Sequence, residues 1–318
     1  MNLKQTFQKQ GGIKLIEQYA GAGVLGTAIN QFLVLGKSRT ALEILRLSTQ
    51  LKVKEKLSKK YQSKIIEFEQ QFKSDYSIER KKCIWMFWLQ GMENAPEIVQ
   101  KCFQSINDNI TDRDIILLTE DNYRQYVTFP NYIQSKIDKG IIKTTHMSDL
   151  LRLELLTTYG GTWIDSTVYC SSPEIPDYML DSDLFLFQCL KPGRDGHTNI
   201  ISNWFITSEP NNKLLFLTKM LLYDYWNHHD DLMDYFIFHE FFSIVIEKYP
   251  TEWSKVVPFP NSVPHILLLR LFEPYNEEIW TAIKKQTPFH KLTYKYNPSQ
   301  EYSAETYFNV LIRNNIGK

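Results

Sequence analysis

Asp149 and Arg152 stand three residues apart in Ser148-Asp149-Leu150-Leu151-Arg152, and a helix through this stretch sets both on one face. A Gly160-Gly161 break follows, then the apolar Trp163-Ile164, which ends in Asp165-Ser166-Thr167. An ionised acid at the end of an apolar strand is costly to bury unless it is paired or bound to a cation. A guanidinium forks onto oxygens while a carboxylate accepts from hydroxyls. The combination suits recognition of a sugar joined to a diphosphate, with Asp165 meeting a divalent cation that wants hard oxygen ligands. Plainer roles exist for each part: a surface ion pair worth under about 1 kcal/mol, and a strand-end acid capping the next turn. A second carboxylate two residues beyond Asp165 would complete a two-acid cation seat. Thr167 stands there instead; its hydroxyl can hydrogen bond but brings no charge.

Further candidates lie on either side. Trp85 and Trp88 share one apolar run; one of them belongs in the core, and Trp88, nearest Gln90-Gly91, is placed to stack a base. His290-Lys291 offers a neutral ligand beside a cation, although such a pair is also common on ordinary surface. The cluster His228-His229-Asp230-Asp231 with His239-Glu240 reads mostly as a solvated helix start. It is not a zinc-protease helix, because position 243 is Ser. Asp234 is kept from it as an acceptor-side catalytic candidate. Gly36-Lys37-Ser38 mimics the end of a phosphate-binding loop, but Gln31 occupies the required glycine position.

The positioning elements follow from hydrophobic runs. Cys83 to Leu89 is apolar on both faces, as in a buried parallel strand. A helix is expected over about 96–106, with Pro96 in its first turn, then a strand at Asp114-Ile115-Ile116-Leu117-Leu118. Strands are also expected at 184–188 and 204–207, helices over 212–227 and 233–249, and loops over 258–264 and 288–296. Alternating strands and helices predict an open α/β sheet with ligands at the carboxyl ends of its strands. By that rule 88–91 and 165–167 converge on one crevice. Residues 1–80 read as a helical N-terminal region and 81–318 as the α/β domain. The stretch 19–36 is too short and polar for a membrane span. Lys52, Lys54, Lys56, Lys59, Lys60 and Lys64 make the next helix basic, either as a solvated face or as a contact for anionic lipid.

A chain of 318 residues with 43% hydrophobic content can bury a full core. Its formal net charge of zero argues against nucleic acid as a partner. Four cysteines without a CxxC pair, after a polar start at 1–12, are expected as reduced thiols in a cytoplasmic protein.

The run from Ser148 through Arg152 and Gly160-Gly161 to Asp165 resembles the donor-site signature of GT-A glycosyltransferases with a DxD motif, in the manner of glycosyltransferase family 32. With Ile84-Trp85, Trp88, Gly91, Ala95-Pro96-Glu97 and Pro288-Phe289-His290-Lys291-Leu292-Thr293-Tyr294-Lys295, it is similar to bacterial capsular polysaccharide synthesis glycosyltransferases over residues 35–297. The large clostridial glucosylating toxins share the Asp-x-x-Arg and Gly-Gly pattern. The resemblance implies a GT-A type open, mostly parallel sheet flanked by helices. It implies a nucleotide-sugar donor, UDP-hexose first, with Mn²⁺ or Mg²⁺ and retention of configuration. Asp149 and Arg152 would hold the hexose, Trp88 would stack the base, and Gln90, Gly161 and Thr167 would line the donor. Asn203 would face the sugar, Asp165 and His290 would hold the metal, and His290 and Lys291 would close over the diphosphate. The acceptor would be a saccharide, a polyprenyl-diphosphate-linked one among the candidates. The expected place of work is the cytoplasmic side, peripheral to the inner face of the membrane. The alternatives are a lipopolysaccharide or protein glycosyltransferase, or a non-catalytic binder of nucleotide sugars.

Overall fold

The structure is a computed structural model that describes residues 13–73, 78–190, 198–297 and 305–313. Residues 1–12 and 74–77 of the expected helical region lie outside the described residues. The N-terminal region forms α1 (Ile13–Gly21), α2 (Leu25–Leu35) and the long α3 (Arg39–Gln71). Ser38 opens α3 by accepting the Ala41 N–H at 3.0 Å, a cap worth about 1 kcal/mol. Val53, Leu57, Tyr61, Ile65 and Phe68 recur at helical spacing on one stripe and are buried in the same cluster as Trp85 and Trp163. Ala22 and Val24 belong to the same cluster, so the helical region from Ala22 onward shares its core with the sheet.

The lysines of α3 are partly engaged, while Lys52, Lys59 and Lys60 stay exposed at the surface. Lys52 pairs with Glu55 at 2.8 Å, Lys54 with Glu247, and Lys64 with Glu67 and Asp224 at 3.3 and 3.5 Å. Lys56 Nζ donates to the carbonyls of Ala22 and Gly23 at 2.9 and 2.7 Å, where a cation complements the end of α1. Lys54, Lys56 and Lys64 tie α3 to Glu247, to the end of α1 and to Asp224, whereas the Lys52–Glu55 and Lys64–Glu67 pairs lie within α3 itself.

The sheet follows from β1 (Cys83–Phe87), α4 (Glu97–Asn109), β2 (Asp114–Leu118), α5 (Asn131–Asp138), α6 (Thr144–Tyr159), β3 (Gly161–Ile164), β4 (Val168–Cys170), β5 (Leu184–Gln188) and β6 (Ile201–Ser208). Helices α7 (Lys213–His228), α8 (Ile237–Lys248) and α9 (Glu277–Lys284) come next, then β7 (Phe289–Lys291). The strand order is β2-β1-β3-β6-β5. β1 is parallel to β2 and β3, while β6 is antiparallel to both β3 and β5. Four strands thus run one way and β6 alone is reversed: an open, mostly parallel sheet flanked by helices. All five β1 residues are buried, as its two apolar faces require. The stretch 288–296 is not wholly loop, because β7 pairs with β4 in a separate antiparallel ribbon. Among the described residues no helix is long and apolar enough to cross a membrane.

The solvated helix start expected near 228–240 divides into two parts. Asp230 and Asp231 are exposed, whereas Glu240 on α8 is fully buried. Both Glu240 oxygens and Ser243 Oγ have no hydrogen-bond partner among the described residues. Burial, followed by the nearby Asp234, pushes the Glu240 carboxyl up to about 9. Folded, the acid stays protonated to that pH; unfolded, it ionises above its ordinary 4.5. The unfolded chain binds fewer protons between these values, so this group's contribution to stability falls as pH rises across that window, on the order of 3 kcal/mol by neutral pH. Glu240→Gln removes the titration. Thermal melts should place the variant above wild type at about pH 8, with a gap that closes toward about pH 5. A gap independent of pH would show that Glu240 does not titrate in this way.

Candidate active site

The carboxyl end of β3 is pinned from two sides. Asp165 N–H donates to Trp204 O at 2.8 Å, and Ser166 Oγ donates to Phe87 O at 2.7 Å. These bonds bring the ends of β1, β3 and β6 together, so the segments after β1 and β3 meet in one crevice.

Asp165 is its centre. Its Oδ1 accepts from Trp163 Nε1 at 3.0 Å and lies 3.5 Å from Arg152 Nη2; its Oδ2 accepts from Lys291 Nζ at 2.9 Å. The same ammonium donates to Thr167 Oγ1 at 2.5 Å. Arg152, delivered by α6, donates through Nε to Ser148 O at 3.1 Å and through Nη1 to Asn203 O at 2.6 Å. Its guanidinium lies over the Trp163 ring, 4.9 Å from the centroid. Asn203 Nδ2 donates to Asp149 Oδ1 at 2.8 Å, and that oxygen is 3.5 Å from Arg152 Nη1. Burial works to raise the Asp165 carboxyl, but Lys291 and Arg152, with hydrogen bonds from Trp163 and Lys291, hold it below the usual carboxylate range. It is an anion at neutral pH, and 27% of its side-chain surface remains open to a ligand.

Asp149, Arg152, Asp165, Thr167, Asn203 and Lys291 therefore form one connected set. Trp88 sits at the same end of the sheet, its ring edge-on to Tyr294 at 5.4 Å and its Nε1 buried with no partner among the described residues. Gln90 follows it in the exposed turn after β1. Three expected residues are placed elsewhere. Gly161 opens β3, so it lies at the amino end, about 13 Å along the strand from Asp165. It has φ +90°, and a Cβ there would meet Cys83 O at 2.8 Å, so its role is close packing of β3 on β1. His290 alternates with Lys291 on β7 and turns the other way, fully buried against the Trp280 ring, with Nε2 2.8 Å from Ser171 Oγ. Burial pushes it down to about 3, and it does not reach Asp165 as a metal ligand. Asp234 is buried and accepts the Phe236 N–H at 2.7 Å, which caps its own turn; among the described residues no hydrogen bond or ion pair joins it to Asp165, Arg152 or Lys291, although its charge reaches His146.

The structure adds His146 and Tyr235, which sequence reasoning missed, and restores His239, which it set aside with the solvated helix start. His146 Nδ1 approaches Asp149 Oδ2 at 3.6 Å, and the Tyr235 ring, more than half exposed, stands 5.4 Å from the His146 ring. His239 Nδ1 is buried without a partner among the described residues. Burial pushes that imidazole down to about 4 despite the opposing pull of Asp149, so it is neutral in the working range. Tyr235 lies in the turn that precedes α8 and His239 in its first turn, so no helical spacing in the sequence joins the two.

The donor set does not suit a divalent cation. Both Asp165 oxygens already face N–H donors, two of them cationic, and Thr167 adds no charge. Two unit charges about 4 Å apart repel by about 4 kcal/mol at an effective dielectric of 20, and a divalent ion beside Lys291 would double that. Among the described residues no group of three His, Cys, Asp or Glu side chains is gathered for a metal.

Fold and site together define an α/β protein with a charged crevice at the carboxyl edge of its sheet. Over residues 38–311 the chain matches the family described as Capsular polysaccharide synthesis protein, and it belongs to that family. None of the curated proteins matches it. Among solved structures it is similar to the PaToxG Glycosyltransferase, with 13% identity and a TM-score of 0.37 over 80% of this chain and 92% of that one. That likeness is too remote to bear on function.

Gly161→Ala should cost about 2 kcal/mol or more in thermal melts, since it combines positive φ with a backbone clash. The folded fraction should keep its affinity for any crevice ligand. A variant of unchanged stability and lost affinity would return Gly161 to the binding residues.

Proposed function

We propose that the chain is a GT-A type glycosyltransferase that moves a hexose from a nucleotide sugar, UDP-hexose first, to a saccharide acceptor in capsular or cell-surface polysaccharide assembly. The observation that carries this reading is the closed set Asp149–Arg152–Asp165–Lys291. It gathers an acid and a guanidinium suited to sugar hydroxyls beside an ammonium suited to phosphate, in a chain of the capsular polysaccharide synthesis family.

The chemistry assigned to these residues is a front-face displacement with retention. Asp149, oriented by Asn203, accepts from hexose hydroxyls, and Arg152 donates to hexose oxygens. The acceptor oxygen bonds to the anomeric carbon while the bond from that carbon to the diphosphate oxygen breaks. The hydroxyl proton passes to the departing diphosphate, whose growing charge Lys291 stabilises. Neutral His239 and the exposed Tyr235 ring line the side from which the acceptor enters.

Peripheral contact with an anionic bilayer belongs to the same reading. Leu33 and Val34 at the end of α2 are 76% and 71% exposed, Ile29 is exposed beside them, and Lys37 and Arg39 follow directly. An apolar tip with basic flanks suits insertion at a negatively charged headgroup layer, and a lipid-linked acceptor would give it purpose.

Nucleotide sugars should raise the melting temperature, and UDP-hexose should release UDP slowly without acceptor. Asp165→Ala and Arg152→Ala should lose both effects, and should still melt cooperatively but at a lower temperature than the wild type. Failure of every nucleotide sugar to shift the wild-type melt would overturn the donor assignment, and binding without turnover on any acceptor would favour the non-catalytic alternative. Sedimentation with phosphatidylglycerol vesicles should retain the wild type and release Leu33→Glu/Val34→Glu at unchanged melting temperature. Wild type left in the supernatant would exclude the lipid contact.

A further inference from the structure

We infer, on the nucleotide-sugar reading of this site, that the Lys291 ammonium is the resident cation of the diphosphate seat and that donor binding needs no divalent metal. The geometry is direct. Lys291 Nζ bridges the first and third positions of Asp165-Ser166-Thr167, at 2.9 Å from Asp165 Oδ2 and 2.5 Å from Thr167 Oγ1. Those are the two side chains between which a two-carboxylate strand end would hold its ion.

The charges agree with the geometry. Two carboxylates and a divalent ion sum to zero; one carboxylate, a neutral hydroxyl and an ammonium also sum to zero. Replacing an acid by Thr167 removes one negative charge, and a monovalent cation then balances the seat. Thr167 and Lys291 thus form a matched pair, each explaining the other.

The fold fixes the ammonium in place. Lys291 closes β7, whose pairing sets Val168 opposite Lys291. Leu292 N–H then donates to Thr167 O at 2.8 Å and Lys291 N–H to Pro264 O at 2.9 Å. The backbone on both sides of the ammonium is therefore tied to the strand end it serves. The side chain is 17% exposed, buried enough for its charge to count yet open to an incoming phosphate. Lysine is a compact point charge with three donors, so it can keep Asp165 and still donate to a diphosphate oxygen.

The test measures UDP affinity, with GDP as the second probe, in EDTA and in MnCl₂, and in parallel Mn²⁺ binding to the protein alone by electron paramagnetic resonance. Wild type should bind UDP with affinities that differ by less than about twofold between EDTA and Mn²⁺, and Lys291→Met should bind roughly tenfold or more weakly in EDTA. The free protein should hold no Mn²⁺ that Asp165→Asn releases. Thr167→Asp/Lys291→Met rebuilds two carboxylates without the ammonium, and it should acquire both Mn²⁺ binding and Mn²⁺-dependent UDP binding. Thermal melts establish that each variant is folded. Wild-type UDP binding that collapses in EDTA, or Mn²⁺ held by wild type and lost in Asp165→Asn, would overturn the assignment. If neither nucleotide binds under either condition, the donor reading falls, and the Mn²⁺ titration of the free protein still decides whether the seat takes a metal.

Discussion

The carboxylate of Asp165 is the charge around which the crevice is arranged. It ends an apolar strand, so it must be paired in place, and its partners come from distant parts of the chain: Arg152 from α6 and Lys291 from β7. Arg152 in turn is held by Ser148, Asn203 and the Trp163 ring, and Asn203 holds Asp149. Removing one member of such a network leaves a poorly solvated charge without compensation, a larger loss than the net worth of any one pair. The site and the local fold are therefore the same set of interactions.

The reversed strand β6 makes this closure possible. Because it runs antiparallel to β3, its Ile201 end lies at the carboxyl end of β3, and Asn203 and Trp204 arrive beside Asp165. A parallel strand in that position would present its own carboxyl end there. Gly160 and Gly161 serve the opposite end: Gly160 at φ +67° accepts the Trp85 Nε1–H, and Gly161 lets β3 close on Cys83. One short strand is thus fastened by glycine packing at its start and by charge at its finish.

Much of this was legible in the sequence, for reasons that differ by element. Cys83–Phe87 and Leu184–Gln188 read directly because unbroken apolar runs mark buried strands, and the apolar run of Asp114–Leu118 marked a strand that the sheet places at its half-buried edge. The Asp149, Arg152 and Asp165 set was legible because helix spacing and a strand-end acid are local signals. His290 was misplaced because a three-residue strand leaves too short a pattern to reveal its alternation, so its pairing with Lys291 looked like a shared role. Gly161 was misplaced because glycine marks close approach without saying whether a ligand or a backbone approaches. Lys52, Lys59 and Lys60 of α3 are the exposed surface they looked like, whereas Lys54, Lys56 and Lys64 are tied down by partners that other elements contribute, Glu247, the carbonyls of Ala22 and Gly23, and Asp224.

Helix α8 shows why its own residues were hardest to read. Phe238, Phe241, Phe242 and Val245 fill the core, which fixes the rotation of the helix. With that rotation fixed, His239 comes within the field of Asp149 and Asp165, while Glu240 comes within that of Lys54 on α3. Neighbouring positions on one helix thus face two different surroundings, and each bears an unpartnered buried polar atom among the described residues. Sequence alone offered His239-Glu240 as a single polar step. Packing divides it, one residue belonging to the crevice and the other to the junction with the N-terminal helices. The aromatic residues on either side, rather than the two polar residues themselves, decide which residue goes where.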